Sequence, residues 1–365
     1  MAVINLIGET FADYDHAANA AALRDLTAAL ARTAPRACAV RVLLPQHVEL
    51  NLPRNPRIST AQIPLPANML GLLWHTNTAA RPLDGEMLHA QTPLVPLRPL
   101  QKRETGTQVT VGVPHLAYLD QDCCFSPQQV KLQKNLLKRA VKHADVLIAP
   151  NFDVASRLQA EFGAVNVRVV SNAAPQEYIA SAEAAARREE LLLPQRYMVT
   201  TEPCDPDRLA WLTEAVAANT KLPPLVIITA DAATPESSGA IAQEETSRVI
   251  RIQTTALSDY GAILGGADLL VLPHYGLTMA YEAYGAIANG VPILHAEIPA
   301  AAEIAVDAGA VFNSAESLQE QLELIFLSEA ANPVLERLKI LAQDRSKVYS
   351  WDTTALTLWE IHAAI

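Results

Sequence analysis

Short apolar runs alternate with helical patterns along the whole chain, and this alternation limits the fold more than any other feature. The strand candidates are residues 3–7, 40–44, 109–113, 146–149 and 167–170 in the first half, and 197–201, 225–229, 249–252, 269–272, 292–294 and 310–312 in the second. Strands that are apolar throughout, with helices between them, are typical of parallel sheets covered on both faces. The pattern predicts an α/β protein with doubly wound sheets, in which residues 17–32 and 127–143 are the clearest helices.

The chain is longer than a single core usually allows. Its 365 residues predict two domains. An alanine-, glutamate- and arginine-rich stretch separates the two series of strands and is typical of a connection between domains. We therefore predict a first domain over residues 1–175, a linker over 176–195, a second domain over 196–348 and a terminal helix over 349–365. Ser350 is the expected N-cap of that helix, and Asp352 suits its first turn.

Composition and charge exclude several classes of function. The formal net charge of -11 disfavours general binding to nucleic acid or to anionic membranes, since both attract basic surfaces. The four cysteines have no metal-ligand spacing, so we predict no metal site and no cofactor, and reduced thiols fit a cytoplasmic protein. The first residues resemble a strand rather than a secretion signal, and no apolar stretch suits a membrane span.

Several segments resemble the family 4 glycosyltransferases. Residues 256–294 run from a helix start at Leu257-Ser258-Asp259-Tyr260, through a buried strand, to the turn Gly290-Val291-Pro292, as in the donor-binding half of that family. The first domain and the last helix carry further similar segments, which are residues 88–93, 109–119, 144–149, 168–172 and 350–352. The resemblance implies the GT-B fold, with two Rossmann-like domains and a C-terminal helix that crosses back to the first.

The positions that bind the donor in this family hold other residues here. The family carries two glutamates separated by seven residues, one for the donor sugar and one for the nucleotide ribose. Leu277 and Gly285 stand in their places, and neither side chain offers an acceptor. An arginine and a lysine clamp the diphosphate in the family, whereas Glu202 and Asp207 occupy those positions here. Each exchange turns an attraction into a repulsion of about 1 to 4 kcal/mol at contact distance. The resemblance therefore implies a kept scaffold with a lost donor site.

Other residues could replace the missing donor ligands. Arg208 and Arg248 could supply positive charge, although for Arg208 we favour a structural role or a solvent-facing pair with Asp205. His274 and Glu282 have the separation of the glutamate pair. If these two residues took over the role of the glutamates, the backbone around them would need compensating irregularities, because the segment between Pro273 and Gly290 has the same length as in the family.

On the acceptor side, His115 is the one candidate for a catalytic residue. It follows the predicted strand over residues 109–113, one position later than the histidine of the histidine-aspartate pair in many family members. Adjacent residues of an extended segment face opposite ways. We therefore favour a partly buried, hydrogen-bonded histidine over a catalytic one.

The predicted helix over residues 127–143 carries a continuous basic face. Its lysines follow at spacings of three and four residues, and they are Lys131, Lys134, Lys138 and Lys142. Such a face can bind an anionic lipid head group or an acidic partner, but a solvated helix face is the interpretation we favour.

We predict from the sequence a glycosyltransferase-like protein without catalysis. As a pseudoenzyme, it would act as a protein partner or as a structural subunit of a glycosyltransferase assembly, with nucleotide-sugar binding in doubt. The alternative is an active enzyme that transfers a sugar from a nucleotide-sugar donor through atypical ligands, for which the resemblance implies a metal-independent, retaining reaction. A small-molecule sensor remains a third possibility.

Overall fold

A computed structural model describes most of the chain. The described residues are 2–8, 16–76, 87–95, 97, 106–120, 125–201, 206–229, 241–246, 248–254, 256–273, 280–328 and 331–365. The chain divides into two compact units, one formed by Met1–Asn172 with Ser350–Ile365 and the other by Ala173–Tyr349.

The first unit is built on a parallel sheet of seven strands in the order β3-β2-β1-β4-β5-β6-β7. The strands are β1 (Ala2–Ile7), β2 (Cys38–Pro45), β3 (Ile58–Ile63), β4 (Met87–Ala90), β5 (Gln108–Gly112), β6 (Val146–Ala149) and β7 (Val167–Val169). The helices of the described residues before residue 172 are α1 (His16–Thr33), α2 (Ala67–Thr76), α3 (Pro127–His143) and α4 (Phe152–Phe162). All five predicted strands of this half are confirmed. β3 was not predicted, because this partly exposed strand at the sheet edge has no continuous apolar run.

The second unit repeats this plan with the strand order β10-β11-β9-β8-β12-β13-β14. The strands are β8 (Met198–Thr201), β9 (Leu225–Thr229), β10 (Ile241–Thr246), β11 (Val249–Gln253), β12 (Leu269–Leu272), β13 (Ile293–Ala296) and β14 (Gly309–Phe312). The helices are α5 (Ala184–Glu190), α6 (Pro206–Ala218), α7 (Leu257–Leu264), α8 (Tyr281–Ala288), α9 (Pro299–Ala305), α10 (Ala315–Phe326) and α11 (Ala331–Ser346). The six predicted strands are confirmed and are parallel, whereas β10 is an antiparallel edge strand that the sequence analysis missed.

The last helix, α12 (Trp351–Ala364), belongs to the first unit, as the sequence predicted. The hydroxyl of Ser350 caps it by accepting a hydrogen bond from the backbone N–H of Thr353. Trp359 is buried and donates its indole N–H to the carbonyl of Leu30 in α1 at 3.2 Å. The core of the first unit therefore includes residues from both ends of the chain.

A buried polar chain also fixes α12 to the sheet. The hydroxyl oxygen of Thr110 in β5 lies 2.9 Å from Nδ1 of His89 and 3.1 Å from Nε2 of His362. Burial and, to a smaller extent, the nearby His362 together lower the pKa of His89 to about 3. Burial likewise lowers the pKa of His362 to about 4, against the raising effect of Asp145. Both imidazoles are therefore neutral near pH 7.

The stretch over residues 176–195 differs from the expected linker, because it packs within the second unit. Arg187 in α5 donates hydrogen bonds of 2.7 and 3.1 Å to the two carboxylate oxygens of Asp259 in α7. The hydroxyl of Thr254 donates to the same carboxylate at 2.7 Å, and the side chain of Asp259 is only 3% exposed. At least one of the charged residues that suggested a linker, Arg187, therefore forms an ion pair within the second unit.

Replacement of Arg187 by alanine is expected to lower the free energy of unfolding of the second unit by about 2 to 3 kcal/mol. The change leaves the carboxylate of Asp259 buried, with the hydroxyl of Thr254 still donating a hydrogen bond to it. Urea denaturation would measure the effect. The control is Glu190→Gln, which removes the exposed ion pair of the same arginine and should cost no more than about 0.5 kcal/mol. Equal losses in the two variants would contradict the role assigned to Asp259.

Candidate functional site

The strand order of the second unit reverses between the adjacent strands β8 and β12. From β8 the chain moves outward through β9 and β11, and from β12 it moves the opposite way through β13 and β14. The crevice at the carboxyl ends of two such strands is where open parallel sheets bind ligands. We call this place the switch-point edge. Glu202, His274 and Leu277 fall in the connections that follow β8 and β12 and lie outside the described residues.

Arg208 is the described cation at the switch-point edge. It lies in the first turn of α6 and is 8% exposed. Its Nη1 donates to the carbonyl of Pro273, at the end of β12, at 3.4 Å, and the guanidinium lies 5.7 Å from the ring centroid of Trp211. The side chain of Arg208 therefore turns inward from α6 to β12, in keeping with the structural role, whereas Asp205 lies outside the described residues. The neighbouring Asp207 is exposed.

Arg248, the other candidate for a replacement cation, lies at the opposite edge of the sheet. It directly precedes β11, so it stands at the amino ends of the parallel strands. Its guanidinium donates to the carbonyls of Val216 at 3.2 Å, Thr220 at 3.0 Å and Leu222. These bonds hold the end of α6 and the following turn. The structure therefore does not support Arg248 as a ligand at the switch-point edge.

α8 places Glu282 and Gly285 on successive turns beside β12. Glu282 lies in the first turn and is half-buried, whereas Gly285 is fully enclosed. A Cβ built on Gly285 would lie 3.0 Å from side-chain carbons of both Leu264 and Tyr178, and 3.1 Å from Cβ of Tyr178. The space beyond the α-carbon is therefore filled by the core. A longer side chain at residue 285 has no room without repacking.

Asn289 holds the segment that fills this space, and the sequence analysis missed its role. Its Nδ2 donates to the carbonyl of Tyr178 and its Oδ1 accepts from the backbone N–H of Ala180, both at 2.8 Å. The ring of Tyr178 packs against those of Tyr260 and Tyr281, with centroid distances of 5.2 and 6.4 Å. The turn over residues 176–178 is thus fixed on α7 and α8. An asparagine at a helix end indicates a cap, and no local signal points to a partner 111 residues away.

His115 lies after β5, and its ring packs between two aromatic side chains. The ring is stacked on Phe125 at 5.7 Å between centroids and meets Tyr118 edge-on at 5.6 Å. Its Nδ1 is buried without a hydrogen-bond partner among the described residues. Burial lowers the pKa of His115 to about 4, and the charge of Arg157 lowers it further. His115 is thus partly buried, as expected, but the expected hydrogen bond at Nδ1 is absent from the part of the chain that the structure describes.

The basic face of α3 is exposed to solvent. The exposed side chains are those of Lys131, Lys134, Lys138 and Lys142, while Leu136, Leu137 and Ala140 form the buried side of the helix. Ser126 and Gln129 form a capping box at the helix start. Three of these lysines border a cavity that also contains Tyr118 and Phe125, so the face is more than a flat helix surface.

Metal-binding clusters and membrane-spanning helices are both absent from the described ranges. No cluster of three or more histidine, cysteine, aspartate or glutamate side chains there has the geometry to hold a metal ion. Among the same residues, no helix is both long enough and apolar enough to cross a membrane.

Two Rossmann-like units, each with a reversal of strand order, and a last helix that returns to the first unit define the class: the chain has the GT-B fold of glycosyltransferases. No family model and no curated protein matches its sequence. Sucrose-phosphate synthase from Thermosynechococcus elongatus superimposes with a TM-score of 0.69 at 15% identity, over 100% of this chain and 99% of that chain.

Two further solved structures show the same likeness. WaaG, a glycosyltransferase involved in lipopolysaccharide biosynthesis, has a TM-score of 0.65 at 14% identity, over 98% of this chain and 99% of WaaG. HepE from Anabaena, solved in complex with UDP-glucose, has a TM-score of 0.62 at 13% identity over 100% of both chains. At identities this low, the structural likeness shows a shared fold and nothing more specific.

Proposed function

We propose that this chain is a non-catalytic protein with a glycosyltransferase fold, a pseudoenzyme of family 4 type that acts as a binding partner or structural subunit in a glycosyltransferase assembly. The observation that carries the proposal is the closed position at Gly285. By resemblance, this position holds the glutamate that grips the nucleotide ribose. Here Leu264 and Tyr178 fill the space that such a side chain would need. The chain therefore lacks both the acceptor and the room for it.

Charge at the start of α6 supports the same proposal. The position that carries the diphosphate-binding lysine in the family holds Asp207, which is exposed in the first turn of the helix. A helix N-terminus favours an anion, and a carboxylate already there repels a second one. A diphosphate at this place would lack the attraction of the lysine and would be repelled by the carboxylate of Asp207.

The assembly partner follows from the overall charge. With a formal net charge of -11, the chain should associate with neutral or basic protein surfaces. We place this assembly in the cytoplasm. Several proteins of the same fold are active enzymes or bind nucleotide sugars, and an inactive copy of the fold can associate with an active one through the shared architecture.

A second candidate, an active transferase with atypical ligands, is favoured by Arg208. Its guanidinium is held at the carboxyl end of β12, next to the crevice where a donor would bind. Glu282 lies in the first turn of α8, the helix that follows β12 in the chain, and could accept a hydrogen bond from a ribose hydroxyl. In that case, Arg208 would offset the charge of the leaving diphosphate without a metal.

Calorimetric titration with UDP, GDP and UDP-glucose separates the two candidates. For a non-catalytic protein, we expect no binding heat with any of the three ligands up to about 1 mM, because neither the ribose nor the diphosphate has its ligand. HepE, which has been solved with UDP, is the positive control. Binding to the wild type that disappears in Arg208→Gln would reject the non-catalytic proposal. Association with a second glycosyltransferase, recovered from the native cell, would identify the assembly.

A further inference from the structure

An open cavity of about 570 Å³ lies in the first unit, between the turn that follows β5 and the outer side of α3. Tyr118 and Phe125 form its aromatic wall, and Lys131, Lys134 and Lys138 border it from the helix. All described residues that line the cavity belong to this unit. The volume of the cavity is in the range of sites that hold small molecules.

The cavity is positively charged in a protein that is strongly acidic overall. Lys131, Lys134 and Lys138 are exposed, and no described carboxylate forms an ion pair with any of them. Among the described residues of the lining, Asp120 carries the carboxylate, which is bound to the guanidinium of Arg157 at 2.5 Å. Three ammonium groups therefore face solvent with no partner in the described part of the chain. A concentrated patch of this kind attracts an anion.

A second, independent observation points to a ligand. Tyr118 lines the cavity and is only 3% exposed, yet its hydroxyl has no hydrogen-bond partner among the described residues. Buried hydroxyl groups normally have a hydrogen-bond partner. A buried hydroxyl without one has lost its hydrogen bonds to water and gained no hydrogen bond in exchange, which is unfavourable. Burial raises the pKa of Tyr118, so the phenol keeps its proton and can donate it. An acceptor oxygen of a bound molecule would satisfy this group.

We propose that this cavity binds a phosphate monoester, with Lys131, Lys134 and Lys138 around the phosphate and the hydroxyl of Tyr118 donating to an oxygen of the bound molecule. The ring of Phe125 supplies an apolar wall for the esterified group. Ammonium groups suit phosphate as strong, adjustable donors. The proposal does not depend on whether the second unit binds a nucleotide. The phosphate can belong to a soluble metabolite or to a lipid head group, and the site chemistry is the same for both.

Titration of the full chain with glycerol 3-phosphate and co-sedimentation with vesicles of phosphatidic acid and phosphatidylcholine test this site. We expect saturable binding to one of the two phosphates, with affinity that falls as salt rises. The triple variant Lys131→Gln, Lys134→Gln, Lys138→Gln should weaken it about tenfold or more. Tyr118→Phe should weaken it by about threefold to tenfold, since one donor to a charged oxygen is lost.

The matched control is Lys142→Gln, which removes a charge from the same helix face but outside the cavity lining. It should change the affinity by less than about twofold, as a distant exposed charge does. Saturation by glycerol 3-phosphate supports a soluble ligand, and binding to phosphatidic acid vesicles alone supports a lipid head group. The proposal is overturned if neither phosphate binds, if poly-glutamate binds as tightly as the phosphates, or if the triple variant and Lys142→Gln behave alike.

Discussion

Glutamate in place of Gly285 should lower the free energy of unfolding of the second unit by about 3 kcal/mol or more, and it should not create a UDP site. The exchange supplies the residue that the family 4 resemblance implies for ribose binding. Its side chain would start 3.0 Å from carbons of Leu264 and Tyr178 and would carry a charge into the core. Asn289 holds the turn of Tyr178 in place, which limits how far this neighbour can move.

Two companion variants separate the causes of this effect. Gly285→Ala adds only the crowded Cβ, and its gain in helix propensity should keep the net change within about 1 kcal/mol. Ala302→Glu places a glutamate at an exposed position of another helix and should change stability by less than about 0.5 kcal/mol. Urea denaturation and calorimetry with UDP provide the measurements. A stable Gly285→Glu protein that binds UDP would show that the position is open and would reverse the proposed function.

Acidification should destabilise the first unit through His89 and His362. Both have pKa values in the folded protein, about 3 and about 4, that lie below the unfolded value near 6.5. Between these limits the unfolded chain binds protons that the folded chain does not, so stability falls as the pH is lowered through 6.5. At pH 5 each histidine should account for a loss of roughly 2 kcal/mol relative to neutral pH.

Urea denaturation at pH 7.5 and pH 5 measures this loss. The window avoids most carboxylate titration in the unfolded chain. In His362→Gln the difference between the two pH values should fall by about a third, because His89 and His115, which also has a lowered pKa of about 4 in the same unit, continue to titrate. His47→Asn, at an exposed position, should leave the difference unchanged. An unchanged difference in His362→Gln would contradict the assignment.

The strands of both units could be predicted from the sequence because most of them are buried on both faces and are apolar throughout. β3, β4 and β10 were not among the predicted strands. β3 and β10 are edge strands that pair on one side, and their sequences, ISTAQI and IAQEET, contain several polar residues, whereas β4 has only the four residues MLHA. The apolar runs that identified the other strands result from their burial between helices and not from an intrinsic preference of their residues for strands.

The site was less predictable than the fold, because it depends on long-range contacts. Position 285 was identified as a glycine, but its enclosure depends on Tyr178, which is more than 100 residues earlier in the chain. The inward course of Arg208 could not be predicted either. A long arginine side chain can reach a partner beyond the direction that its helical position suggests, and only the fold places the carbonyl of Pro273 within reach.

The position of α12 has a consequence for synthesis on the ribosome. The first unit needs Trp359 and His362 to complete its interior, and these residues are translated after the whole of the second unit. The second unit, which ends at Tyr349, has all of its residues earlier. We therefore expect the second unit to complete its packing first, and the first unit to follow only when α12 has left the exit tunnel.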